Sequence, residues 1–174
     1  YVATGNPGPS LIGIERPGAN ENSVSVIAVN IKDGSVLWSF QEIAHDLWDL
    51  DLPASPVLTT INHDGRLIDV VATPTKAGNT LLLDRVSGKP IFDFRLRRAP
   101  TSTLPGERTA PYQPDPELPQ PFAKQAFGLD DVTDIGAKNR NSVLEQLKTK
   151  NFGFFEPHKE GIETVYFGLH GGVP

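Results

Sequence analysis

The first 96 residues consist of short β-branched or apolar runs separated by glycine-containing turns, and this rhythm constrains the fold most strongly. Residues 24–29 and 36–41 are two such runs, and Asp33-Gly34 lies at the tip of the hairpin turn between them. Short strands with closely spaced turns favour an antiparallel meander, sandwich or propeller over βαβ units. Further strands are predicted at residues 67–73, 80–84 and 90–94, with no helical pattern between any pair.

One internal repetition narrows the choice of all-β fold. Residues 27–38 and 82–92 share an apolar strand, an Asn or Asp, a glycine turn and a final aromatic residue, Trp38 or Phe92. Repeats of about 40–50 residues that each form a small antiparallel unit are typical of β-propellers. Two copies leave a partial propeller and other all-β folds as open alternatives.

The second half of the sequence has a different character. From about residue 97 to residue 127 proline is frequent and periodicity is absent, which indicates a long loop. Apolar residues at helical spacing within residues 130–150 predict one helix of about ten to fourteen residues. A last strand is expected at residues 164–167. The sequence thus divides into strand-rich blades (1–96), a loop-and-helix insertion (97–160) and the start of a further blade (161–174).

Composition excludes several classes of function. Lys and Arg total 16 against 21 Asp and Glu, a net charge of −5 without any basic run, so neither nucleic acid nor an anionic membrane is an expected partner. No apolar stretch approaches the roughly 20 residues that span a bilayer. The absence of Cys excludes disulfides, thiolate zinc sites and cysteine nucleophiles. Residue 1 is Tyr and strand-like sequence follows at once, which suggests a piece of a longer chain.

Three segments carry residues suited to chemistry, and each also has a structural alternative. Residues 5–9 read Gly-Asn-Pro-Gly-Pro, which is turn-forming, but the amide oxygen of Asn6 also suits a hard cation such as calcium. Lys76 lies at the junction of a strand and a turn. There it is either solvated or placed to donate to the oxygens of an anionic cofactor.

The third segment is the acidic run at residues 45–51, His-Asp-Leu-Trp-Asp-Leu-Asp. In a half-buried strand Asp49 and Asp51 would share one face, with Trp48 and Leu50 on the other. The alternatives are a solvated acidic loop with a tryptophan anchor, or a metal-linked general base. His45 is expected to be structural. The sequence contains no dinucleotide-binding fingerprint, no phosphate-binding loop and no Gly-x-Ser-x-Gly elbow. Its four His residues do not have the spacing of metal ligands.

Taken in order, these segments resemble the pyrroloquinoline quinone (PQQ) dependent dehydrogenases over nearly the whole chain, most closely the glucose and polyol branch. The long loop from Leu104 to Phe122 and the stretch Tyr166-Phe167-Gly168 also look like this family. The motifs that carry the resemblance are Gly5-Asn6-Pro7-x-Pro9, Ala28-Val29-Asn30 with Gly34 and Trp38, Gln41, the 45–51 run, Lys76-Ala77-Gly78-Asn79 and Leu83-Asp84-Arg85.

The resemblance implies an eight-bladed β-propeller of four-stranded antiparallel blades, of which this chain would supply two or three. It implies that Trp38 packs between blades. It also implies PQQ and Ca²⁺ as cofactors, with Asn6 as a metal ligand, Asp49 as catalytic base beside the metal and Lys76 on the quinone oxygens. Asp51 matches a position that adds a metal ligand in lanthanide-using relatives.

The implied activity is oxidation of a sugar or polyol hydroxyl, with electrons passing to a quinone or a cytochrome. The implied location is the periplasm, with any membrane anchor in a segment outside these residues. Ala19 stands where alcohol enzymes often carry Asp, which disfavours the alcohol branch. The chain is too short for eight blades, so we expect it to be inactive alone. The alternatives are a non-catalytic propeller scaffold and a calcium-stabilised secreted β-domain.

Overall fold

The computed structural model describes residues 1–166 and contains three antiparallel sheets. The first two sheets have three strands each, in the orders β1-β2-β3 and β4-β5-β6, and the third is the pair β7-β8. The strands are β1 (Val2–Ala3), β2 (Ser25–Val29), β3 (Val36–Gln41), β4 (Val57–His63), β5 (Arg66–Pro74), β6 (Thr80–Asp84), β7 (Phe94–Arg98) and β8 (Tyr112–Pro116).

The antiparallel all-β class and most of the predicted strands are confirmed. The hairpin at Asp33-Gly34 joins β2 to β3, and Gly34 has a φ of 75°, which its missing Cβ permits. The sheets differ from four-stranded blades, since no sheet within residues 1–166 has more than three strands.

Three local predictions about strands were wrong. The run predicted at residues 90–94 forms only a bridge from Pro90 to Leu83, and the strand itself is β7. Strand β8 lies within the segment that was predicted to be a loop, because Pro114 and Pro116 occupy an edge strand where a missing N–H is tolerated. Of the strand expected at residues 164–167, Thr164 forms only an isolated bridge to Asn151, and Val165 and Tyr166 are not in a strand. Residue 167 and the glycine-rich segment after it lie outside the described residues.

The predicted helix is confirmed as α1 (Ala137–Leu147), which has 11 residues. A single 3₁₀ turn at Leu129–Asp131 precedes it. Within residues 1–166 no helix has the length and apolarity needed to cross a membrane.

The core lies where the first two sheets meet the acidic run. Strand β2 is buried along four of its five residues, as expected for a strand covered on both faces. Trp48 packs on Phe155 with ring centroids 5.0 Å apart, so it anchors the acidic run to the core. The central cluster comprises Val24, Val26, Ile43, Leu47, Trp48, Leu52, Val71, Leu81, Leu83, Ala99 and Phe155.

Trp38 couples the first sheet to the second. From β3 its indole Nε1 donates to the carbonyl oxygen of Arg85, 3.3 Å away, in the turn that follows β6. The same ring covers Gly88, where an added Cβ would lie 2.5 Å from the indole. Packing of Trp38 between neighbouring sheets is the arrangement that the family resemblance implied.

Replacing Gly88 with Ala should therefore lower the free energy of unfolding by about 1–3 kcal/mol through overpacking, beyond the strain of a residue held at a φ of 70°. Gly34→Ala is the matched control, since Gly34 also has a positive φ but open space around its Cβ. Urea unfolding of both variants measures the difference. Equal losses of stability would contradict the role assigned to Trp38.

Candidate functional site

The side chain of Lys76 lies between two carboxylates of the acidic run. Its Nζ is 3.0 Å from Asp49 Oδ2 and 2.5 Å from Asp51 Oδ1. The Lys76 side chain is only 10% exposed, against 23% for Asp49 and 21% for Asp51. The structure thus brings together the three charged residues that the sequence singled out.

Ionic contacts keep this lysine protonated. Burial by itself would lower the pKa of Lys76, but hydrogen bonds and charge interactions with Asp51 and Asp49 outweigh burial and raise the pKa above its usual value. The site therefore presents a positive charge beside two acids, and all three side chains are largely shielded from solvent.

The acidic run is a turn and not the half-buried strand that was considered. His45 and Asp49 both adopt positive φ values, 50° and 59°, which break any extended pattern. The carboxylate of Asp46 accepts hydrogen bonds from the backbone N–H of Trp48 and of Leu50, each at 2.9 Å. These bonds close the turn and hold Asp49 in its strained conformation, as is typical of functional sites.

Asp46 is itself buried and does not reach the site surface. Burial raises its pKa to about 6, the two backbone hydrogen bonds oppose that rise, and the nearby charge of Asp49 adds to it. Arg16 donates to the carbonyl oxygen of Asp46 and also, at 3.1 Å, to that of Pro9. One guanidinium thereby ties the Asn6 segment to the acidic run.

His45 is structural, with both ring nitrogens engaged. Nε2 lies 2.9 Å from Glu107 Oε1, and Nδ1 lies 2.7 Å from the carbonyl oxygen of Gly18. Glu107 also accepts from the backbone N–H of Gly13 at 2.5 Å. Burial would raise the pKa of Glu107, but the hydrogen bonds from His45, Gly13 and Arg108 outweigh burial and lower the pKa. This buried pair fastens the proline-rich loop to the acidic run.

The turn that carries Lys76 rests on a buried glutamate. Glu42 Oε1 accepts hydrogen bonds from Thr75 Oγ1 and Asn79 Nδ2, each at 2.9 Å. Burial raises the pKa of Glu42 to about 7, although the hydrogen bonds from Asn79 and Thr75 oppose the change. The backbone N–H of Lys76 also faces the carbonyl oxygen of Asp51 at 3.4 Å, so the turn and the acidic run are directly joined.

Asn6 lies beside these acids through its neighbour Gly5, where an added Cβ would be 3.7 Å from Asp51 Oδ2. The amide Nδ2 of Asn6 is buried and has no hydrogen-bond partner within residues 1–166. A ligand that engages this amide would satisfy it. Burial, and then the charge of Asp49, raise the pKa of the Tyr166 phenol.

The donor set fits part of a calcium site. Amide and carboxylate oxygens are the ligands that Ca²⁺ prefers, and Asn6, Asp49 and Asp51 offer both kinds. Ca²⁺ takes about six to eight oxygens, more than these three side chains supply. No group of three or more His, Asp or Glu side chains is arranged to hold a metal ion in the described part of the chain. The remaining ligands would have to come from a cofactor or from other residues.

Comparison with known proteins decides the family. The family model "PQQ: Glucose/ethanol/alcohol dehydrogenase, beta-propeller domain" matches residues 1–174. The chain belongs to the PQQ-dependent dehydrogenase family. Its resemblance to this family, stated above from the motifs, is confirmed, as is the partial β-propeller fold.

Two curated relatives show the extent of the similarity. The quinoprotein glucose dehydrogenase of Escherichia coli is 34% identical over 171 residues, 97% of this chain and 21% of that protein. The glycerol dehydrogenase large subunit of Gluconobacter thailandicus is 38% identical over 184 aligned positions, 99% of this chain and 24% of that protein. The chain thus spans about a fifth to a quarter of the length of these relatives.

A solved quinoprotein supports the fold. The quinohemoprotein alcohol dehydrogenase of Comamonas testosteroni superposes with a TM-score of 0.51 at 26% identity, over 66% of this chain and 17% of that one. A europium-containing methanol dehydrogenase gives a TM-score of 0.50 at 23% identity, over 64% of this chain and 20% of that one, which concerns the fold alone.

Proposed function

We propose that this quinoprotein chain supplies the catalytic base and a cofactor-contacting lysine to a dehydrogenase that oxidises a sugar or polyol hydroxyl. The single observation that carries the proposal is the ion-paired convergence of Asp49, Asp51 and Lys76 in a confirmed family member. A propeller scaffold without catalysis has no need to bury a lysine between two acids, because such a group is costly to desolvate.

In this proposal Asp49 accepts the proton of the substrate hydroxyl. A general base must lie within hydrogen-bond reach of that proton and have a free oxygen lone pair. Asp49 Oδ2 is engaged by Lys76, so the proposal assigns the substrate proton to Oδ1. The ion pair with Lys76 restrains the carboxylate before the substrate binds.

In this proposal Lys76 supplies positive charge to the site. Its protonated ammonium stabilises negative charge that develops on oxygens nearby, and partial burial strengthens this effect. When bound, PQQ would accept the hydride from the substrate carbon, with Ca²⁺ polarising the acceptor carbonyl. Asn6, Asp49 and Asp51 would provide part of the shell of that cation.

The proposal also covers the substrate branch and the location, and the named relatives support it. Proteins named glucose dehydrogenase and glycerol dehydrogenase are 34% and 38% identical to this chain. We therefore extend to it a sugar or polyol substrate, a quinone or cytochrome as electron acceptor, and a periplasmic location.

Reconstitution tests the proposal. The complete protein that contains this sequence should oxidise glucose or glycerol with a redox dye only after addition of both PQQ and Ca²⁺. Asn6→Leu should raise the Ca²⁺ concentration for half-activation by at least about ten-fold, because it removes an oxygen ligand. Asn62→Leu, at an exposed position of strand β4, is the control. Absence of PQQ-dependent turnover would favour the scaffold, and an unaltered Ca²⁺ response would remove Asn6 from the metal site.

A further inference from the structure

The turn at residues 75–79 presents Lys76 to the two acids and is held from two sides. We propose that Glu42 and Gln125 are positioning residues that set the location of the Lys76 ammonium. The inference rests on the function proposed for Lys76, and neither residue touches the ammonium itself. Both act through Asn79, the last residue of the turn.

Glu42 provides the inner support. It follows β3 directly and is fully buried. A single oxygen, Oε1, accepts from Thr75 at the start of the turn and from Asn79 at its end, each at 2.9 Å. One acceptor thus closes both ends of the turn, and Lys76 lies within the segment that it closes.

Gln125 provides the outer support, from the proline-rich segment. Its Nε2 donates to Asn79 Oδ1 and to the carbonyl oxygen of Ala77, each at 3.0 Å. Asn79 therefore uses its amide hydrogens on Glu42 and its amide oxygen on Gln125. This arrangement leaves one orientation of the Asn79 side chain that satisfies both partners.

The turn has little room to shift against the proline-rich segment. Gly78 has a φ of 84°, and an added Cβ would lie only 3.0 Å from the carbonyl oxygen of Ala123. The N–H of Phe122 donates to the carbonyl oxygen of Gly78 at 2.9 Å. Loss of either side-chain support would leave buried polar atoms of Thr75 or Asn79 unpaired, and the turn would relax to recover partners.

The test compares Glu42→Ala with Glu42→Gln in the PQQ-loaded enzyme. Glu42→Ala should lower kcat by up to about 100-fold, since a displacement near 1 Å in a catalytic group has effects of that size. It should also weaken PQQ binding, measured by fluorescence titration, and leave KM for the sugar unchanged. Glu42→Gln retains the accepting oxygen and should restore both values. Glu160→Ala, at an exposed glutamate, is the control.

Gln125→Ala is the second variant, at a half-buried position where folding is expected to survive. It should lower kcat and PQQ affinity in the same direction by a smaller factor. If Glu42→Ala does not fold, this variant decides the inference alone. Wild-type kcat and PQQ affinity in Gln125→Ala and in any folded Glu42→Ala would overturn it.

A double-mutant cycle separates positioning from a general structural role. In a Lys76→Ala background the Glu42 and Gln125 substitutions should cause no further loss of PQQ affinity, because their effect passes through the ammonium. Additive losses would overturn the inference. If Lys76→Ala alone leaves kcat and PQQ affinity unchanged, the proposed function of Lys76 fails. If Lys76→Ala is severe while the supports are neutral, only the positioning inference fails.

Discussion

Asp49→Asn should lower kcat by about 10²–10⁴-fold while PQQ remains bound, since this is the contribution expected of a general base. The amide is nearly isosteric with the carboxylate and can still accept a hydrogen bond from Lys76, 3.0 Å away in the wild type. It cannot take up the hydroxyl proton. Steady-state turnover together with PQQ titration measures the two effects separately.

Asp64→Asn is the matched control for this substitution. Asp64 also has a positive φ, 51° against 59° for Asp49, so any backbone preference of Asn acts equally at both positions. The Asp64 side chain is 91% exposed at the turn between β4 and β5. Turnover near the wild-type value in Asp49→Asn would exclude Asp49 as the base.

Lys76→Met should lower kcat by about 10²–10³-fold, the usual loss when a preorganised electrostatic group is removed from a site. Methionine keeps an unbranched side chain one atom shorter than lysine and removes both the charge and the hydrogen-bond donors. PQQ affinity should fall as well, because the ammonium is expected to contact the cofactor. Stopped-flow reduction of the bound cofactor by substrate measures the chemical step directly.

Loss of Lys76 also leaves Asp49 and Asp51 without their shared counter-charge. Urea unfolding of Lys76→Met therefore accompanies the kinetics, and Lys76→Arg should recover part of kcat by restoring the charge. Lys32→Met, at an exposed position in the hairpin between β2 and β3, is the control. An unchanged rate of cofactor reduction in Lys76→Met would contradict the role proposed for this lysine.

Much of the fold was accessible to sequence reasoning. Strands β3 (Val36–Gln41) and β6 (Thr80–Asp84) begin and end where the pattern predicted, because β-branched runs and flanking turns are local signals. Strand β8 was missed, since its two prolines read as loop. The acidic run was considered as a strand, whereas Asp46 closes it into a turn that residue spacing does not reveal.

The residues that support the site were the hardest to anticipate. Glu42 and Gln125 are isolated polar residues without a motif, and their partners lie far along the chain. Glu42 meets Asn79 across 37 residues, and Gln125 meets Asn79 across 46. A single polar residue whose partner lies in a distant segment forms no local or periodic pattern in the sequence. The sequence indicated the site only indirectly, through the cluster of acidic residues beside Trp48 in the run at residues 45–51.

The sequence by itself determined the all-β class, the glycine turns between strands, the helix and the candidate residues Asn6, Asp49, Asp51 and Lys76. These features depend on local alternation, on glycine and on residue chemistry, all of which a linear chain displays. Only the tertiary structure decided that Lys76 lies between two carboxylates and that Glu42 and Gln125 hold its turn. Such convergence depends on hydrogen bonds and ion pairs between distant segments, which exist only after the sheets have packed.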